Sequence, residues 1–343
     1  MPFQYICQIP TVEEIKQEIP LSPELQKLKS LRDAAIRKVF CRENNKFILV
    51  IGPCSAHDEN AVCDYTGRLA KIQEKVKDSI LIIPRIYTNK PRTTGSGYKG
   101  MAHQPNPQDN PNMLEGLKAI RRMHIRSFEE TGLSAADEML YPNNFPYLDD
   151  ILSYVAIGAR SVEDQFHRLT VSGMDVPAGM KNPTSGDLDV MLNSVHAAQI
   201  PQDFIYNGWE VRTPGNPLTH CILRGAFNQY GQCIPNYHFE DLKLLSEMYI
   251  QRKLKNPAIL VDANHANSAK QYKEQLRISL EIMKNRQQSE IIKDMVKGLM
   301  IESFIVEGAQ DINGNVFGQS ITDPCIGWED TENLIKRISD FVY

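Results

Sequence analysis

The chain has 343 residues, 42% of them hydrophobic and 23% charged, with a formal net charge of −4. That length can bury a large core, as one large α/β barrel or two ordinary domains. A net negative chain without a Lys/Arg block argues against general nucleic-acid binding, and no segment nears the roughly 18 apolar residues of a membrane span.

The first residues, MPFQYICQIPTVEEIKQEIP, lack a basic stretch followed by an apolar core and do not read as a signal peptide. Residues 1–45 read as a helical arm, with Ser22 as a cap and Pro23 in the first turn of SPELQKLKSLRDAAIRKVF. Nine strand-like runs follow: KFILVIG, SILIIPRIY, LSAADEML, YVAIGAR, VPAGMK, FIYNG, HCILRGA, AILVDA and GLMIESF. Helical stretches separate most of them, among them AVCDYTGRLAKIQEKV, NMLEGLKAIRRMHIRSFEET, DLDVMLNSVHAAQ, HFEDLKLLSEMYIQRKL and KQYKEQLRISLEIMKN. The runs are continuously apolar, as expected for a parallel sheet covered by helices. Nine is one more than an eight-stranded barrel needs. FIYNG and HCILRGA have only the loop-like GWEVRTPGNPLT between them, so one of the two reads as an insertion beside the barrel. The expected fold is a (β/α)8 barrel over 46–343, with an N-terminal helical extension and a small inserted hairpin.

Active-site residues of such a barrel gather at the C-terminal ends of its strands. Those ends carry Cys54, Arg85, Lys90, Arg92, Glu138, Arg160, Lys181, Arg224, Asp262, His265, Glu302 and, in the last loop, Asp323. Singly, each has a bland reading. Cys54 suits a buried thiol, Asp323 a turn, and Glu302 a salt bridge to a nearby Arg. As a set they suggest more. A thiolate, an imidazole and two carboxylates together suit a divalent transition metal such as Mn2+, Fe2+, Co2+ or Zn2+. Arg85, Arg160, Lys181 and Arg224 would repel one another in one mouth without an anionic guest, and KPRTT at 90–94 offers a second anion grip. Metal and two grips fit the joining of two small phosphorylated molecules. No Walker-type loop or dinucleotide fingerprint is present. Lys181 at a strand end leaves a Schiff-base aldolase as a rival. The seven cysteines are odd in number and irregularly spaced, so a reducing cytoplasm is expected.

These residues also lie in recognisable blocks: IGPCS at 51–55, NKPRTT at 89–94, AIGAR at 156–160, EDQFHR at 163–168 and MKN at 180–182. ILRG at 222–225, HANS at 265–268, VEG at 306–308 and SITDPCIGWEDT at 320–331 follow. From about residue 11 onward the chain resembles the type I, feedback-regulated bacterial and fungal 3-deoxy-D-arabino-heptulosonate 7-phosphate (DAHP) synthases. The resemblance implies a metal-dependent condensation of phosphoenolpyruvate with erythrose 4-phosphate and water, giving DAHP and phosphate at the first step towards the aromatic amino acids. It implies Cys54, His265, Glu302 and Asp323 as ligands of one divalent metal. Arg85, Lys90, Arg160, Lys181 and Arg224 would form the phosphoenolpyruvate pocket, with Glu138 beside them. Arg92 and Thr93 would grip the acceptor's phosphate, and Lys90 would shuttle a proton to or from the metal-bound oxygen. An aromatic amino acid inhibitor and a homodimer or homotetramer are implied too, with no nucleic acid or membrane partner.

The chain departs from that pattern in places. After KPRTT the family usually has VGWKG, whereas this chain has GSGYKG, one residue longer and with Tyr98 in place of Trp. Pro183 follows MKN where glycine is common, and DAN precedes His265 where DFS is usual. ESF replaces the common ESH at 302–304. The loop change leaves open a different aldose phosphate acceptor in specialised metabolism. A catalytically silent barrel is the remaining alternative, against which the retention of every ligand and pocket cation argues.

Overall fold

The computed structural model describes residues 2–92 and 94–342. Eight parallel strands form one sheet: β1 Phe47–Gly52, β2 Ile80–Pro84, β3 Ala136–Glu138, β4 Tyr154–Ile157, β5 Ala178–Lys181, β6 His220–Leu223, β7 Ile259–Asp262 and β8 Val296–Glu302. Their spatial order is β2-β1-β8-β7-β6-β5-β4-β3. A bridge between Arg85 and Ala136, with Ile86 N–H donating to the Ala136 carbonyl at 2.9 Å, joins β2 to β3 and closes the barrel. Each strand thus lies beside its sequence neighbour, as right-handed β-helix-β crossovers require. The registers place Gly52 level with Glu302 and Ile51 level with Pro84, so the strand ends carrying Cys54, Arg85 and Glu302 arrive on one face.

The helices are α1 Val12–Glu18, α2 Pro23–Phe40, α3 Glu59–Val76, α4 Met113–Thr131, α5 Gln165–Ser172, α6 Leu188–Gln199, α7 Phe239–Gln251, α8 Glu274–Gln288, α9 Glu290–Met295 and α10 Trp328–Val342. Ser22 caps α2 by accepting from Leu25 N–H, with Pro23 in its first turn, as the sequence suggests. Asp58, Asn112, Asp164 and Asp187 cap α3 to α6 in the same way, satisfying amide groups that have no partner inside the helix.

Two apolar cores result. The larger lies between barrel and helices. The smaller fills the barrel, where Ile48, Val50, Leu81, Ile83, Tyr154, Ile222, Leu260 and Met300 meet Ile36, Val39 and Phe40 of α2. The helix before the first strand therefore packs into the barrel's interior core. FIYNG is the run that stays outside the barrel. Gln202–Tyr206 pairs antiparallel with Trp209–Thr213 in an external hairpin, and HCILRGA supplies β6. The hairpin's alternating burial, against the continuous burial of β6, marks the difference. No helix among the described residues is long and apolar enough to cross a membrane.

Candidate functional site

At the C-terminal ends of the strands lies a cavity of about 430 Å3. Ten of the residues singled out from sequence line it: Cys54, Arg85, Lys90, Arg92, Glu138, Arg160, Lys181, Arg224, His265 and Asp323. Glu302 and Asp262 are almost wholly buried behind this lining. Thr93 lies outside the described residues.

On one side, Cys54 Sγ lies 3.3 Å from Asp323 Oδ2, although the two are 269 residues apart in sequence. Lys90 Nζ donates to both, at 2.6 Å to the sulfur and 2.8 Å to the carboxylate. Burial pushes the Cys54 thiol up to about 11, with Glu302 adding to the rise. Burial opposes the Lys90 charge, but Cys54, Asp323 and Glu302 outweigh it and hold the ammonium above the ordinary lysine range. Burial would also raise Asp323, and Lys90 reverses that to leave its carboxyl well below the usual range.

On the other side, His265 Nε2 lies 4.0 Å from Glu302 Oε1, and His265 Nδ1 lies 2.9 Å from Asp262 Oδ2. The second contact is close but poorly aligned, because neither atom completes a hydrogen bond of good geometry. It still turns Nε2 towards the cavity side, as a carboxylate behind a ligating imidazole does. Asn264 donates to Glu302 Oε2 at 2.6 Å, and Arg85 Nη2 donates to Oε1 at 2.9 Å. Gln275 fixes the Glu302 backbone through both its N–H and its carbonyl. Burial would raise the Glu302 carboxyl, yet Arg85 and His265 hold it below the ordinary value.

Thiol, imidazole and two carboxylates match the donor set of a borderline divalent metal. Among the described residues no three of them form a ready cage, and the Lys90 ammonium bonds to both members of one ligand pair. The four residues fit a metal in kind and stand as two pairs, Cys54 with Asp323 and His265 with Glu302. Gathering them round one ion requires Lys90 to move off the sulfur.

The remaining cations face the cavity from β4 to β6. Lys181 Nζ lies 3.7 Å from Glu138 Oε2 and 3.4 Å from Asp262 Oδ2. Arg224 is buried, its Nη1 unpartnered among the described residues, and its backbone is held where Asn182 Oδ1 accepts from Arg224 N–H at 2.9 Å. Burial lowers the Arg224 pKa, and the nearby Arg160 lowers it further. An unpartnered guanidinium beside a second one is the signature of a pocket built for an anion. Arg92 stands at the rim, its Nε donating to the Tyr98 carbonyl at 2.8 Å.

Sequence reading missed several neighbours of the site, among them Tyr87, whose ring centre lies 3.7 Å from the Arg85 guanidinium carbon. Lys270, exposed and with φ +62°, and Phe227, in a small hairpin after β6, both line the cavity. Cys325, which the sequence does not single out, has its sulfur 3.4 Å from the Cys54 amide nitrogen and shares that residue's surroundings. DPC in SITDPC was the available signal for Cys325. Nothing in the local pattern marked Lys270 or Phe227.

A family model described as the DAHP synthetase I family matches residues 18–336. A phospho-2-dehydro-3-deoxyheptonate aldolase of Haemophilus influenzae is 36% identical, with 96% of this chain and 93% of that protein covered. The Phe-sensitive enzyme of that name from Escherichia coli K12 is 35% identical, with 96% of each chain covered. The Trp-sensitive enzyme from the same strain is 33% identical over 97% of this chain and 94% of its own length. The solved structure of the Francisella tularensis SCHU S4 enzyme superposes with a TM-score of 0.92 at 30% identity, covering 99% of this chain and 98% of the other.

Proposed function

The chain belongs to the DAHP synthetase I family, and on that premise we propose how its mouth works and on which acceptor. It is an enzyme of the DAHP synthase class, a transferase condensing phosphoenolpyruvate with an aldose phosphate at the first step of the shikimate pathway. The acceptor is D-erythrose 4-phosphate, and the products are DAHP and phosphate. The observation that carries this reading is the convergence of strand-end cations and metal-type donors on one cavity.

Cys54, His265, Glu302 and Asp323 would hold one divalent metal ion, Mn2+, Fe2+, Co2+ or Zn2+, which when bound supplies Lewis acidity towards the acceptor carbonyl. Arg160, Arg224 and Lys181 bind phosphoenolpyruvate, the guanidinium forks taking its phosphate, while Arg85 supports the carboxylate side. Arg92, at the rim, takes the acceptor's phosphate, with Thr93 assigned to the same grip by the family pattern. So held, C3 of phosphoenolpyruvate attacks the aldehyde carbon and positive character grows at C2. Water adds at C2, and the tetrahedral intermediate releases phosphate by C–O cleavage. Lys90, protonated between Cys54 and Asp323, gives its proton to the acceptor oxygen as the new carbon–carbon bond forms. Glu138, opposite Lys181, orients the attacking water. The cation cluster stabilises the leaving phosphate.

The test is phosphoenolpyruvate consumption with erythrose 4-phosphate and with other aldose phosphates, before and after chelation. Turnover should need erythrose 4-phosphate, vanish with chelator and return with Mn2+. Metal-replete protein that turns over another aldose phosphate and ignores erythrose 4-phosphate would establish the second reading, a changed acceptor. That reading draws on Ser96 of the unusual loop, which lines the same cavity. Borohydride trapping through Lys181 with full activity in chelator would instead show a Schiff-base aldolase.

Two relatives carry Phe-sensitive and Trp-sensitive in their names, and an aromatic amino acid is proposed as inhibitor here as well. A cavity of about 830 Å3 between the arm and the external hairpin supports it, with Phe145, Phe204, Tyr206 and Trp209 for a ring and Lys16 and Asp149 for the charged groups. Assays with Phe, Tyr and Trp, in wild type and Trp209→Ala, decide it. Phe3, Tyr5 and Ile6 of the arm are exposed, which supports a homodimer or homotetramer that covers them and is readable by sedimentation.

A further inference from the structure

The barrel has another cavity at the end away from the mouth, about 480 Å3 in volume. Lys46 immediately precedes β1 and Lys297 is the second residue of β8, so this cavity opens at the N-terminal ends of the strands. Its floor is two buried cations, Arg286 with 7% of its surface exposed and Lys297 with 8%. Arg286 comes from the last turn of α8, its guanidinium carbon 4.6 Å from the centre of the Phe47 ring. Among the described residues its Nε has no hydrogen-bond partner, and its Nη2 reaches only the Lys293 carbonyl, at 3.5 Å.

Lys297 is little better served. Its partner is Asp294, at 3.5 Å, and that half-exposed carboxylate is shared with Arg42 at 3.0 Å. The other acids of the lining, Asp78 and Glu290, are exposed, so solvent answers their charge. Burying a cation without a counter-charge is expensive, and an apolar side chain would fill either position more cheaply. Burial accordingly lowers the pKa of Arg286 to about 10, and that of Lys297 is lowered by burial and by its neighbours Arg42 and Arg286. Among the described residues, two buried cations facing one cavity have spare donors and no buried acid beside them.

We propose that this cavity is an anion site distinct from the mouth, taking a phosphate group between Arg286 and Lys297, as inorganic phosphate or as the end of a phosphate monoester. The Arg286 fork offers two N–H groups to adjacent oxygens, and Lys297 supplies a point charge to a third. Because Lys297 begins β8 and Phe47 begins β1, an occupant fastens α8 to the starts of two neighbouring strands. It binds the folded chain alone, and so raises thermal stability.

The test uses the full chain at constant ionic strength set with chloride. Inorganic phosphate and glycerol 3-phosphate are titrated by calorimetry and by thermal melting. The variants are Lys297→Met, the mouth change Arg224→Gln, and the two combined. Wild type should show two classes of phosphate site. Arg224→Gln should keep the second, and Lys297→Met should weaken that one by about tenfold, the loss of one charge-assisted contact. Tighter binding of either probe names the source. Phosphate binding abolished by Arg224→Gln alone, or unchanged by Lys297→Met, overturns the proposal. Lys297→Met should fold, and in phosphate-free buffer it should melt at or above wild type, since it removes an unanswered charge. Melting well below wild type would mean that Lys297 has an adequate internal partner, which also overturns it.

Discussion

Gly158 decides where Glu138 can stand. A Cβ at that position would lie 2.6 Å from Glu138 Oε1 and 3.2 Å from its Cδ, closer than carbon and oxygen tolerate. The Glu138 carboxylate is buried beside Lys181, so it cannot simply swing into solvent. Gly158→Ala should therefore push Glu138 away from Lys181 and lower kcat by about ten- to a hundredfold, with the fold intact, since misplacements near 1 Å have that cost. Steady-state kinetics with a circular dichroism control check it, and a wild-type kcat would remove Glu138 from the proposed machinery. Cys54 makes a different prediction. Its proposed work is ligation, so Cys54→Ala should lose bound metal, read by elemental analysis, together with turnover. A fully active, metal-free Cys54→Ala protein would show that the thiol is only packing.

Among the elements, α2 shows how stability and activity separate. Phe40, Ile36 and Val39 reach the barrel's inner core from outside the strand cycle, and none of them lines the cavity of Cys54 and Arg224. Phe40→Ala should cost about 3–5 kcal/mol, the usual range for emptying a buried aromatic site, and KM values measured where the protein is still folded should not move. Denaturant melts paired with kinetics test this, and a large KM change would tie α2 to the mouth. The strand ends were readable because a closed parallel barrel sends every C-terminal end to one face, so Cys54, Arg85, Lys181 and Glu302 needed only their apolar runs to be found. FIYNG was ambiguous because a short apolar run does not reveal whether its other face is covered. The structure answers through the alternating burial of that strand. Lys270 and Phe227 were illegible for another reason. A loop cation at positive φ and a two-residue strand carry no periodicity, and only their tertiary neighbours bring them to the cavity. The seat of Lys90 between Cys54 and Asp323 likewise spans 233 residues and has no local trace.

For the whole molecule, the barrel's two ends have different relations to pH. The mouth is dense with charges of both signs. The far end holds an imidazole that must stay neutral. His220, at the start of β6, is buried between Phe40 of α2 and Tyr154 of β4, with ring centres 4.5 Å and 5.5 Å away. Its Nε2 is 2.8 Å from the Tyr154 hydroxyl and its Nδ1 2.9 Å from the Leu218 carbonyl, so both nitrogens are occupied without a carboxylate to favour a charge. Burial lowers its pKa to about 4. An unfolded chain, with a histidine near about 6.5, binds a proton that the folded chain refuses. This contribution to stability is therefore complete above about pH 6.5 and is lost as pH falls towards 4, reaching about 2 kcal/mol of loss near pH 5. His220→Gln keeps a hydrogen-bonding side chain but cannot take up the proton. It should be the less stable protein near pH 7, and its deficit should shrink by about that 2 kcal/mol near pH 5. Urea unfolding of both proteins at the two pH values measures the difference directly, with every other titrating group common to the pair. Parallel stability curves would mean that His220 is protonated in the folded barrel. The interior would then have to reopen around Phe40 and Tyr154, and the link joining α2, β4 and β6 would not be the buried contact described.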